Sequence, residues 1–230
     1  MQKRILGVSA IVAALLCAVY WWWQRPAKLS ESDSLLVGEL ANESGEKDFD
    51  GSLREALRVA LLQSPYLNLL SDEKIRATMR VLGRPEGTPV DATVASGICQ
   101  KAGAQAYLTG QISRTSNGYQ IELNAYGCHD GRRMASAEAA APRADLAVQH
   151  LGEAVRKLRE KLGEDAASIK KYDVPLERAT TPIPAALKAY TDARKAIQEK
   201  GDLEPVPFYK QAIELDSRFA MAHSGLAVSY

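Results

Sequence analysis

An excess of one charge is what this sequence lacks first. Its 29 Lys and Arg stand against 28 Asp and Glu, a net of +1. That balance excludes the basic footprint of a nucleic-acid binder and the acidic tail of a solvating segment. Cysteine is scarce: three in 230 residues cannot frame a disulfide-built scaffold. Long hydrophobic runs are missing but for one, which excludes a polytopic membrane protein. Tryptophan is confined to Trp21, Trp22 and Trp23, a distribution foreign to a globular core. No Gly-x-Ser-x-Gly elbow and no Cys/His pairs with zinc spacing occur, so the signatures of acyl transfer and structural zinc are absent. What is present is ordinary for a folded chain: 46% hydrophobic and 25% charged residues.

The one long apolar run covers residues 5–23, 19 residues without a charge. As a helix it would span about 29 Å, close to the hydrocarbon core of a bilayer. Tyr20, Trp21, Trp22 and Trp23 close it like an interfacial aromatic belt. Bulky aromatics stand where a signal-peptide cleavage site would be, so the run reads as an uncleaved anchor. The expected organisation is a cytoplasmic stub at 1–4, the anchor at 5–23, and a tether at 24–33. The bulk of the chain is then exported from an inner, cytoplasmic membrane into a periplasm.

Residues 34–163 read as an α/β domain. The run SLLVGEL at 34–40 is a buried strand, and 51–63 carries a helical apolar face. A short strand at 66–70 follows. Ser71 begins a helix with the look of an N-cap, and another helix ends at Gly103. Alternating segments at 106–113 and 119–126 flank Asn117 and Gly118, a strong hairpin signal. A fifth strand at 132–139 and a helix at 144–162 complete the set. Two helical crossovers make the first three strands parallel, and the last three form a meander. The expectation is a mixed five-stranded sheet ordered 2-1-3-4-5, with helices mainly on one face.

Residues 164–182 read as a linker with a short helix at its start. Beyond it, 183–230 resembles tetratricopeptide repeats, in which helix pairs recur every ~34 residues. Tyr190, Ala193, Phe208, Tyr209 and Ala212 suit the packing or groove positions of one repeat, Leu226 and Tyr230 those of a next one. The segment stops inside a first helix, so the array is expected to be incomplete. Further carriers are FDGSLR at 49–54, LLSD at 69–72, residues 98–104, DVPLE at 173–177, TTP at 180–182 and AIELD at 212–216. Together they resemble the exported half of membrane-anchored bacterial signalling proteins of the acidobacterial type. In these a serine/threonine kinase or winged-helix regulator precedes one membrane helix. The α/β part is also similar to the amino-terminal domain of the Tol-system propeller protein.

That resemblance implies a non-catalytic, membrane-tethered interaction or sensory module, with no cofactor. A protein or peptide partner would use the repeats, and a lipid bilayer would hold one transmembrane helix. The alternative is a detached sensor half that acts with a separate kinase or regulator chain. Kinase motifs themselves are missing. Among single residues, Cys99 and Cys128 form either a disulfide, closing a loop of about 30 residues, or two buried thiols. Glu46, Asp48 and Asp50 form either a solvated charge run or a ligand loop after the first strand. His129 reads as loop-exposed, His150 as solvated and His223 as core.

Overall fold

The computed structural model describes residues 28–85, 87–200 and 205–230. Its centre is β1 (Ser34–Glu43), where Leu35, Leu36 and Val37 are all buried. A continuous apolar run of this kind belongs to a strand covered on both faces. Gly51, at φ 71°, turns the chain into α1 (Ser52–Leu62). There Leu53, Leu57 and Leu61 repeat every four residues and are each 0% exposed. β2 (Asn68–Leu69) is short and pairs in parallel with β1. Ser71 caps α2 (Asp72–Val81) by accepting from the Lys74 amide at 3.2 Å. Asp91 caps α3 (Ala92–Ala102) through the Val94 amide at 2.8 Å. β3 (Ala106–Thr115) runs parallel to β1, and β4 (Gly118–Gly127) and β5 (Arg133–Ala141) continue antiparallel. The sheet is mixed and five-stranded, in the order β2-β1-β3-β4-β5.

Helices occupy both faces rather than mainly one. α1 and α4 (Ala147–Leu162) bury one face, with Leu151, Val155, Leu158 and Leu162 striping α4 at helical spacing. α2 and α3 cover the other, over Leu36 and Tyr107. Chain direction explains the difference. The crossover β1 to β2 moves one way across the sheet, and the crossover β2 to β3 moves back. Two right-handed crossovers in opposite directions put their helices on opposite faces.

β1 also runs further than expected, and carries a bulge. Val37 faces Leu108 and Leu40 faces Gly110, so Gly38 and Glu39 together oppose Thr109. A Cβ on Gly38 would lie 2.8 Å from the Val90 carbonyl oxygen. That carbonyl accepts from the Glu39 amide at 2.7 Å, so the bulge needs glycine.

Residues 164–182 carry α5 (Ala166–Tyr172) and α6 (Leu176–Ala179). A buried ionic cluster docks them. Arg159 is 0% exposed, and its Nε and Nη2 each donate to Glu164 at 2.8 Å. Ser64 Oγ and Ser168 Oγ donate to the same carboxylate at 2.5 and 2.8 Å, and Arg159 Nη1 reaches Asp173 at 3.2 Å. Burial pushes the Glu164 carboxyl up, but these bonds outweigh it and hold the group below its ordinary value.

The carboxyl-terminal helices correct the expectation of a repeat array. α7 (Pro184–Lys200), α8 (Val206–Leu215) and α9 (Ala220–Val228) form a hairpin and a third helix. In an array each repeat packs on its neighbours alone. Here Ala186, Leu187, Tyr190 and Ala193 of α7 belong to the same hydrophobic cluster as the sheet. α7 packs on α1 and on the helical turn Lys47–Phe49. The hairpin therefore closes the α/β core.

The expected anchor at 5–23, with Tyr20 and Trp21 to Trp23, lies outside the described residues. Among the described residues no helix is long and apolar enough to cross a membrane. The single-pass inner-membrane expectation, with its bilayer contact and periplasmic bulk, is corrected to that extent: no described helix supplies the span it needs.

Candidate functional site

The antiparallel half of the sheet is covered on one side only. Along β3, β4 and β5 the residues Leu108, Ile112, Ile121, Leu123, Ala137 and Ala139 point into the main core. Their neighbours point the other way. On that side the small cluster under α2 and α3 reaches Tyr107, Cys128 and the partly buried Tyr126. Past the Tyr107–Tyr126 stack, with centroids 5.3 Å apart, the strands present Thr109, Gln111, Ser113, Gln120, Glu122, Asn124, Ser136 and Glu138. Most of these are half-buried by one another, and Glu138 is exposed.

The register sets the electrostatics of this face. Ser116 and Asn117 form the hairpin tip, and Thr115 pairs with Gly118. The expected Asn-Gly tip is thus shifted by one residue, with Gly118 opening β4. A closing pair is hydrogen-bonded, and pairs alternate from there. Gln120, Glu122 and Asn124 therefore bond across to β3. Opposite β5 they form the close, non-hydrogen-bonded pairs, including Glu122 with Glu138. Like charges directly opposite repel. Each carboxylate takes an amide instead of a cation: Gln111 Nε2 donates to Glu122 at 3.2 Å, and Gln120 Nε2 to Glu138 at 3.4 Å. Glu43 extends the row beside Ser113. Among the described residues of these strands, the cation facing them is Arg133, opposite Tyr126 at the far end.

The residues singled out from sequence lie elsewhere. Cys99 on α3 and Cys128 at the end of β4 are bonded, with Cα atoms 5.6 Å apart, inside the small cluster. Tyr190 and Tyr209 are buried, their rings 5.8 Å apart, and Phe219 packs on Tyr190 in a tilted contact with centroids 5.2 Å apart. Ala193 and Ala212 are buried with them, Leu226 is partly buried, and Phe208 and Tyr230 are exposed. His223 is exposed rather than core, its Nε2 2.9 Å from the Ser217 carbonyl. His150 is half-buried beside Glu153 at 3.1 Å, and His129 is exposed.

The acidic loop after β1 is closed by internal partners. Glu46 accepts from Arg114 Nη1 at 2.8 Å and from the Tyr119 hydroxyl at 2.7 Å. The Tyr119 bond first, then Arg114, holds the Glu46 carboxyl below its usual value, and the same bond raises the phenol. Asn42 Nδ2 ties Asp50 at 2.7 Å. An open depression of about 390 Å³ between α4 and α5 is walled by Arg156, Lys157, Glu160, Ile169 and Lys170. Its charges are mixed, and no nucleophile and base converge there. Among the described residues no three His, Cys, Asp or Glu side chains gather as a metal site.

No protein-family model matches the chain, and no curated protein does. Among solved structures it is similar to the LpoB C-terminal domain from Salmonella enterica, at 22% identity over 49% of this chain and 84% of that one, TM-score 0.45. The LpoB C-terminal domain from Escherichia coli matches at 23% identity over 47% and 82%, TM-score 0.44. TolB from Acinetobacter baumannii matches at 15% over 60% and 30%, TM-score 0.39. None of the three is named as a tetratricopeptide protein or a kinase sensor half, and the expected kinship with such signalling proteins is corrected on the packing of α7 into the sheet core.

Proposed function

We propose that the chain is a non-catalytic protein-binding module, and that its contact surface is the open half of the sheet. One observation supports this reading above others. A sheet face of hydroxyl, amide and carboxylate side chains is left uncovered, with Glu122 and Glu138 set against each other. Folding alone gains nothing from that pair. A partner surface with Lys or Arg would relieve it, and complementary charge also steers encounter. The partner chemistry is therefore a basic protein surface.

The test is a photo-crosslinking residue at Gln111 or Asn124, introduced in the native host, with and without Glu122→Lys. The wild-type face should yield a discrete crosslinked protein, and the substitution should remove it. Glu122→Lys should at the same time raise stability by about 0.5 kcal/mol, because it turns a repulsive cross-strand pair into an attractive one. A face that crosslinks to no protein, or one indifferent to Glu122→Lys, would refute the proposal.

A further inference from the structure

We propose that the outer edge of β5 is a strand-addition site for an extended protein segment with carboxylates on alternate residues. The inference rests on the protein-binding reading above and assigns it a second, backbone-mediated contact.

The phase derived from the hairpin fixes which groups are available. Ala137, Ala139 and Ala141 exchange bonds with β4. The N–H and C=O groups of Ser136, Glu138 and Ala140 therefore look outward. β5 is the outermost strand and runs nine residues, whereas β2 at the opposite edge has two. Edges of that length are ordinarily blunted by proline, a bulge or bulky charge. The strand holds no proline, its one bulge, at Met134, lies near its start and away from residues 136–140, and five of its nine residues, Ala135, Ala137, Ala139, Ala140 and Ala141, are alanine.

What guards the edge is two lysines. Lys161 Nζ donates to the Ser136 carbonyl at 2.6 Å, and Lys157 Nζ to the Glu138 carbonyl at 3.4 Å. They stand one turn apart on α4, matched to carbonyls two residues apart on β5. The ammonium groups occupy the places that the N–H groups of an added strand would take. Both are exposed and carried on flexible stems, so an arriving strand can displace them. They would remain beside it on the helix side, where alternate side chains of the added strand point. Carboxylates there would pair with both lysines. On the opposite side the added strand would lie next to Glu138, where a hydroxyl at the intervening positions can donate to the carboxylate. A second copy of β5 fits poorly. It would bring alanine to the lysines and a second Glu138 toward the first.

The test uses the full chain, ¹⁵N-labelled, with two capped heptapeptides, one alternating Glu and Thr and the other alternating Gln and Thr. Hydrogen exchange is read at the amides of Ser136, Glu138 and Ala140. The acidic peptide should slow all three, and the neutral one should not. Lys157→Ala with Lys161→Ala should weaken the acidic peptide roughly threefold to tenfold, as two exposed ion pairs are lost. Ala140→Pro should abolish binding yet leave the sheet intact, because that N–H bonds nothing in β4. No protection at millimolar acidic peptide, equal protection by the neutral peptide, or protection that rises with protein concentration alone would each overturn the inference. Crosslinks from Gln111 or Asn124 that persist in such a case would leave the protein-binding reading standing. Edge protection without those crosslinks would remove the open face and keep the edge.

Discussion

Reducing the Cys99–Cys128 bond is the most informative perturbation of stability. The two cysteines are 29 residues apart in sequence. The loop-entropy relation then gives about 3.6 kcal/mol of stabilisation at 25 °C. For a chain of this size each kcal/mol moves Tm by roughly 2–4 °C, so reduction should lower it by about 7–14 °C. Reduced wild type is the right comparison, because both sulfur atoms keep their places in the small cluster and no cavity is made. Urea unfolding with and without reductant should show a lower midpoint when reduced. The slope should rise as well, since the unfolded chain loses its loop and exposes more surface. A thiol count on the denatured, unreduced chain should find one group, Cys17, of the three cysteines. Three free thiols, or unchanged midpoints, would refute the reasoning.

Other predictions concern the buried polar groups and one glycine. Glu164→Gln should cost about 3 kcal/mol in urea unfolding, the low end for a broken buried pair, because Arg159 keeps only its contact to Asp173. The same carboxyl sets an acid limit. Its folded pKa is depressed, so its contribution is complete above the unfolded value of about 4.3. It is lost as pH falls through the lower folded value, and the urea midpoint of wild type should drop there more steeply than that of Glu164→Gln. Gly225→Ala would place a methyl carbon against the hydroxyl end of the Tyr209 ring, closer than the two can approach without a shift. It should lift α9 at a cost of about 1–3 kcal/mol, seen as lost exchange protection in α9 while β1 stays protected.

Much of the α/β fold was legible because its signals are local. Leu35 to Val37 announce a strand buried on two sides, Ser71 caps its helix, and Leu53, Leu57 and Leu61 mark a helix face. The tail misled for a physical reason. Tyr190, Ala193, Tyr209 and Ala212 report that two helices pack together. They do not report whether the outer side of the pair meets another repeat or α1. Arg159 gave a signal that went unused: it stands between Leu158 and Leu162 on the buried side of α4. The open face was half legible. Alternation in β3 and β4 shows a polar side, but whether a helix covers it depends on how far the two crossovers reach, and no residue in those strands encodes that.

The bulge at Gly38 and Glu39 divides the sheet into parts of unequal stiffness. Before it, β1 is pressed between two helical layers, beside the Cys99–Cys128 bond that ties α3 to the end of β4. Beyond it, the strands are backed on one side and free to twist on the other. Slow exchange should therefore concentrate in the first half of β1 and in β3 up to Leu108, and quicken toward β5. Shape adjustment on docking would then be confined to the outer strands, like a hinged panel whose frame does not move.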